Sequence, residues 1–268
     1  MGAALGKLLH DPQALEELLR SGRVRRAPGP GSPDFADPRK RSPLPFGVPS
    51  LDAALGGGLA RGDLFVVSKV SPHNATARGT AQACERSLAR LGLDHLDAYL
   101  LHWRGSVPLE ETVAALEDLR ERGRIRAWGV SNFDLADMHE LLAVPGGKNC
   151  VTNQIYYSLG ARGPQFELVP WLQRHGIMTM AYSPIDQGAL ARSGALRKLA
   201  SRLGATPVQI ALAWLTGQTD VMAIPKAAGE AHLRENFASQ SLVLTEADQV
   251  EIDAAFPPPK RASALAMR

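Results

Sequence analysis

The spacing of apolar residues changes near residue 62 of this chain. Beyond that point, short runs rich in β-branched and aromatic residues alternate with segments whose apolar positions recur every three or four residues. The first pattern belongs to buried strands and the second to helices with one covered face. The runs "LFVVSKV" (64–70), "LDAYLLHW" (96–103), "IRAWGVSNF" (125–133), "VTNQIYY" (151–157), "IMTMAYSPI" (177–185) and "VMAIPKA" (221–227) predict strands. Helices are expected over 76–93, 109–123, 136–144, 166–176, 196–204, 207–218, 232–239 and 245–256. The first of these sets Ala83, Leu88 and Leu91 on one face, and Gly123 and Gly176 stop two others, since glycine accepts the left-handed backbone that ends a helix. Strands that alternate with helices pair in parallel through right-handed crossovers. Six such units can be counted, whereas a closed α/β barrel has eight.

The first 62 residues read differently. "LGKLLHDPQALEELLRSG" predicts a short helix with Asp11 as N-cap, Pro12 at its first position and Gly22 as its stop. Residues 23–45 are dominated by Pro, Gly, Ser and charge. Such a composition buries too little surface to offset the entropy of ordering, so a flexible basic linker is expected. The organisation that follows is an N-terminal helix and linker over 1–62 and an α/β domain over 63–268.

Composition narrows the class. Apolar content of 45% and charged content of 21% are those of a soluble globular protein. A net charge of +3 is too mild to imply a nucleic-acid partner. Cys84 and Cys150 stand far apart without metal-ligand spacing, so neither a disulfide framework nor a metal site is expected. No apolar run reaches the ~18 residues of a membrane helix, and no signal-peptide pattern is found at the N-terminus. A cytoplasmic protein is the expectation.

In a parallel α/β sheet, function collects where strands end. Lys69, His102, Ser131, Asn132, Gln154, Tyr182 and Lys226 all fall at such ends. Each has an ordinary structural reading when taken singly. Their recurrence at successive strand ends of one sheet is what marks a site. No glycine-rich phosphate turn follows any strand, which counts against an open dinucleotide-binding sheet.

The segments "VSKV", "LDAYLLHW", "LEDLRERGRIRAWGVSNF", "TNQIYY", "MAYSPI" and "AIPKAAGEAHLREN" resemble, in order and spacing, those of the aldo-keto reductases. These are barrel enzymes that reduce carbonyl groups with NADPH. "PGGKNCVTNQIYYSLGARGPQFELVPW" and "AFPPPK" resemble bacterial members acting on small carbonyls such as methylglyoxal. The resemblance implies a (β/α)8-type fold and a small carbonyl substrate. It gives Lys69 and His102 catalytic places. Ser131, Asn132 and Gln154 would hold the nicotinamide carboxamide, Tyr182 would stack on its ring, and Ser183 would lie in the phosphate-binding loop. Lys226 would lie near the adenosine 2′-phosphate, with Glu235 and Asn236 at the adenine. The family often has Ser or Thr after that lysine and Arg six residues on. Ala227 and His232 stand there instead, so NADH is possible beside NADPH.

The family's proton-donating tyrosine and its aspartate precede the lysine, and no tyrosine occurs before Tyr99. Tyr99 cannot serve, because side chains alternate along a strand and it faces away from His102. In that place stands "FGVPSLDAALGGGLARGDLFVV". It resembles the entry to RecA-type ATPases of mutagenesis cassettes, without their phosphate loop, and equally a diverged helix and glycine turn of the reductase itself. The expectation is an incomplete barrel of about six βα units with a non-homologous extension, marginally soluble or self-associating through unpaired edges. Three functions follow: a slowed NAD(P)H-dependent carbonyl reductase, a non-catalytic dinucleotide binder, or an interaction module of a DNA-damage system carried by residues 1–62.

Overall fold

The computed structural model describes residues 65–267. The expected N-terminal helix, the basic linker and the Leu64 start of the first strand lie outside the described residues.

Six strands form one sheet: β1 Val67–Val70, β2 Leu96–Leu101, β3 Ile125–Ser131, β4 Thr152–Tyr156, β5 Met178–Tyr182 and β6 Val221–Ala223. Eight α-helices connect and follow them: α1 Ala77–Leu91, α2 Leu109–Glu121, α3 Leu135–Ala143, α4 Leu168–Arg174, α5 Gly194–Leu203, α6 Pro207–Thr216, α7 Glu230–Ala238 and α8 Glu246–Ala255. Every expected run holds its element; strand ends are trimmed, while α3, α5 and α7 begin one or two residues earlier than expected. The trimming has a local cause. Asn132, where the strand is expected to run into a loop, and Ser183, expected inside a strand, take left-handed backbone at φ 58° and 49°, which a strand cannot continue. Beyond β6, Pro225 has no N–H to give a ladder.

Helix ends follow chemistry written in the sequence. The Thr76 side chain accepts from the Gly79 N–H at the start of α1, and Gly92 closes that helix at φ 63°. Thr206 and Gln209 form a reciprocal capping box at the start of α6. Each such cap contributes about 1 kcal/mol.

Strand order follows chain order from β1 to β6, and all neighbours pair in parallel. With sequential order and a constant crossover hand, the helices fall on one face. Trp128 on β3 is fully buried on that outer face and its indole N–H donates to Glu117 of α2. On the opposite, inner face, Leu100, Thr152, Gln154, Met178 and Met180 are all buried, filling the interior in layers as a barrel does. Gly129 belongs to this face. A Cβ there would lie 2.4 Å from the Thr152 carbonyl oxygen and 3.1 Å from Leu100 Cδ2.

Among the described residues the sheet has six strands, and β1 and β6 each pair on one side only. This is the six-unit arrangement that the residue pattern predicts. No helix among the described residues is long and apolar enough to cross a membrane.

Candidate active site

The inner-facing side chains at the C-terminal strand ends converge on one rim. Register sets Lys69 beside Leu100, so Lys69 faces inward, while its neighbours Ser68 and Tyr99 face α1. Ser68 donates to Ser87 of α1 across 3.4 Å, which fixes that parity. Tyr99 is fully buried, and its phenol is pushed above its ordinary value by burial and then by Cys84 of α1.

Two residues beyond Leu100, His102 faces inward as well. Its backbone N–H donates to the Val70 carbonyl at 2.9 Å, which ties the end of β2 to β1. Burial, and then the Lys69 charge, hold the imidazole below its ordinary pKa. Burial also lowers Lys69. Among the described residues no carboxylate forms an ion pair with Lys69. A cation and a neutral imidazole thus share the start of the rim.

Asn132 links the strands. Its Nδ2 donates to the His102 carbonyl at 3.1 Å and to Ser131 Oγ at 3.3 Å. Its Oδ1 accepts from the Tyr182 hydroxyl at 3.0 Å. Left-handed backbone at Asn132 makes this geometry possible, and asparagine tolerates it better than most residues. Ser131 donates its hydroxyl to the Gln154 carbonyl at 2.8 Å. The buried Gln154 side chain points its Nε2 at Met180 Sδ, 2.8 Å away. The structure therefore brings Lys69, His102, Ser131, Asn132, Gln154 and Tyr182 to one rim.

The remaining candidates lie on the β6–α7 side. Lys226 is exposed, three residues past β6, and Ser183 follows Tyr182 in left-handed backbone. Glu235 accepts from the Thr206 hydroxyl that caps α6 and from His232 Nδ1 at 3.1 Å. Its carboxylate is thus already engaged. Asn236 is half-buried beside it, and its carbonyl accepts from Ser239 Oγ at 2.6 Å.

Three further residues join the rim: Tyr156, to which the residue pattern gives little weight because it arises from a different strand, and Asp186 and Arg104, which that pattern does not single out. Tyr156 stacks on Tyr182 at 5.8 Å between ring centres with 23° between planes, and its hydroxyl donates to the Asp186 carboxylate. Parity with Gln154, two residues earlier, was the signal for Tyr156. Asp186 had none, since its place depends on left-handed turns at Asp186 and Gln187. Arg104 donates to Glu140 of α3 at 3.2 and 2.8 Å and to the Gly105 and Val107 carbonyls. It holds the loop that carries His102 and Trp103, whose rings meet at 4.6 Å.

Parallel βα units with an inner-facing polar rim at the C-terminal strand ends define an α/β-barrel-type enzyme. The chain belongs to the aldo/keto reductase family, whose model matches residues 51–256. The match starts at Leu51, so "LDAALGGGLARGD" lies within it. The chain is 47% identical over 212 residues to the methylglyoxal reductase YeaE of Escherichia coli (strain K12), covering 77% of this chain and 75% of that protein. It is 38% identical over 197 residues to a glyoxal reductase of Bacillus subtilis (strain 168), covering 74% and 70%. The crystal structure of an aldo/keto reductase from Klebsiella pneumoniae in complex with NADP and acetate is similar at a TM-score of 0.77 and 41% identity, covering 81% of this chain and 78% of that one.

Proposed function

We propose that this chain is an NADPH-dependent reductase of small aldehydes and ketones, of which methylglyoxal is a representative, working at a reduced rate. NADH is admitted as a weaker alternative. The observation that carries this reading is the pairing of Lys69 with His102 at adjacent strand ends, beside the Asn132–Tyr182 bond. The relatives' names and the NADP bound by the Klebsiella pneumoniae structure support it.

The residues present suit such a cofactor by their chemistry. Tyr182 offers a ring face, Asn132 and Gln154 offer amides, Ser183 a turning backbone, and Lys226 an exposed cation past β6 for a phosphate. Asn236 is the remaining contact for the adenine; Glu235 serves by holding the start of α6. When bound, NADPH supplies the hydride for the carbonyl carbon. Lys69 places positive charge where the carbonyl oxygen becomes negative, which is the main electrostatic requirement of the reaction. His102, neutral at pH 7, donates a hydrogen bond from a ring N–H that orients that oxygen. The Tyr156–Tyr182 stack and the Arg104 loop close two sides of the rim.

A reduced rate is expected because none of the four tyrosines in the chain lies in a position to serve Lys69. Tyr99 faces α1, Tyr157 donates to Gln218 at 2.7 Å, Tyr156 to Asp186, and Tyr182 to Asn132. The same fact favours a second reading, a dinucleotide binder without turnover.

The domain is taken to span 63–268 by its strand pattern; the family match begins upstream of this at Leu51, so the appended segment is taken as residues 1–50. Strands β1 and β6, each paired on one side among the described residues, offer edges for self-association, whose measure is size-exclusion mass. A nucleic-acid partner is not proposed, and a cytoplasmic place is.

NADPH titration followed by fluorescence, then NADPH oxidation with methylglyoxal and an aromatic aldehyde, tests the reading on the protein and on Lys69→Met. Binding with lysine-dependent oxidation supports the reductase. Binding without oxidation selects the binder, and equal rates for both proteins remove Lys69 from the reaction.

A further inference from the structure

We propose that Lys69 is itself the acid, giving a proton from Nζ to the oxygen of the carbonyl substrate as that carbonyl is reduced. The assignment rests on the carbonyl-reductase reading and adds the identity of the proton donor to it.

Reduction of a carbonyl needs one proton at oxygen. The donors on the inner rim can be taken in turn. The Ser131 hydroxyl is committed to the Gln154 carbonyl, and an aliphatic alcohol is in any case no stronger an acid than the product. Asn132 and Gln154 carry amides, which do not titrate. Tyr182 directs its hydroxyl to Asn132 Oδ1, and Tyr156 directs its own to a carboxylate. Tyr99 lies between the sheet and α1, and Tyr157 donates to Gln218, past the end of α6. His102 is kept neutral at pH 7 by burial and by the adjacent ammonium.

Lys69 is left. It faces inward next to His102, is half-buried, and has no ion-pair partner among the described residues. A buried ammonium without a carboxylate gives up its proton more readily than one in water. Burial therefore favours the state that proton transfer creates.

The balance closes. The carbonyl carbon gains a hydride pair from a reduced nicotinamide, and the C–O π pair moves onto oxygen. The oxygen takes the Nζ proton to give the alcohol. The neutral amine regains a proton from water before the next turnover.

Lys69→Arg separates the acid from a mere positive charge, because guanidinium keeps its charge but cannot be deprotonated in a protein. The measurements are NADPH affinity by fluorescence, single-turnover NADPH oxidation with methylglyoxal between pH 6 and 10, and the Lys69 pKa in the cofactor-free protein. That pKa is read by NMR on protein carrying 13Cε-lysine, with Lys69→Arg giving the assignment. Lys69→Arg and Lys69→Met should both keep NADPH affinity and both lose at least about 10²-fold in rate, the scale of general-acid catalysis. The wild-type rate should fall as pH rises, with a midpoint equal to that of the NMR titration. Tyr99→Phe should leave the rate unchanged.

A Lys69→Arg rate within threefold of wild type overturns the proposal, since charge alone would then suffice. So does a Tyr182→Phe loss equal to that of Lys69→Arg, or a mismatch between the kinetic and NMR midpoints. NADPH binding without oxidation at any pH selects the non-catalytic binder and overturns the reductase reading and the assignment with it, whereas lysine-independent oxidation overturns the assignment alone. Failure to bind NADPH overturns the reductase reading and the assignment with it. If Lys69→Arg does not fold, Lys69→Met supplies the NMR assignment and the two midpoints decide.

Discussion

The Tyr182 hydroxyl donates to Oδ1 of Asn132 at 3.0 Å, and Asn132 passes the connection to the His102 carbonyl at 3.1 Å. One side chain thus joins the ends of β2, β3 and β5. It does so only because its backbone sits at φ 58°.

Asn132→Gly keeps that backbone and deletes all three side-chain bonds, to the His102 carbonyl, to Ser131 Oγ and from Tyr182, whereas Asn132→Ala deletes the bonds and strains the backbone. Each lost neutral hydrogen bond is worth about 1 kcal/mol, or roughly fivefold. NADPH titration should show Asn132→Gly weaker than wild type by about five- to tenfold. Urea unfolding should show Asn132→Ala less stable than Asn132→Gly. Equal stability of the two would mean that the left-handed backbone carries no strain for alanine.

Gly129 has no room for a side chain on the inner face. Its added Cβ would press on the Thr152 carbonyl, part of the neighbouring strand rather than a flexible side chain. Gly129→Ala should destabilise by about 1–3 kcal/mol, the usual cost of overpacking. Calorimetry should then record a fall of several degrees in Tm. An unchanged Tm would show that β3 and β4 can separate freely at this level.

The two cysteines should be silent in the native state. Burial pushes the Cys84 thiol up to about 11, helped by Glu85, and burial pushes Cys150 up to about 12. A thiol reacts as its thiolate. Titration with an aromatic disulfide at pH 8 should label neither until denaturant is added, and then both.

Lys69 should cost stability where it serves chemistry. Burial lowers its folded-state pKa below the ordinary lysine value. Between the folded and unfolded values the unfolded chain binds more protons, so stability rises with pH there. Below the folded value both states are protonated, and the fold bears the whole cost of the half-buried charge. Lys69→Met should therefore be more stable than wild type at pH 7, and the gap should narrow toward pH 10. Urea midpoints at the two pH values measure it. A Lys69→Met protein less stable at pH 7 would mean that the ammonium is paired rather than merely buried.

The residue pattern alone determined the six βα units and their order. Parallel strands covered on both faces are predominantly apolar, as "LDAYLL" is apart from Asp97, and the helices between them alternate, as α1 does around Cys84 and Leu88. Parity within β2 set Tyr99 on the face opposite His102; that Lys69, His102, Ser131, Gln154 and Tyr182 of five different strands share one face was set by the register between strands. Only the tertiary structure decided how that face is joined. The Tyr156–Tyr182 stack, the reach of Tyr156 to Asp186 and the hold of Arg104 on Glu140 connect residues 26 to 36 positions apart. Their pairing depends on where left-handed turns send the chain beyond each strand. Repeats in a sequence report which face a residue takes, because that is local geometry. They do not report which neighbour it meets there, because that is set by packing between distant segments.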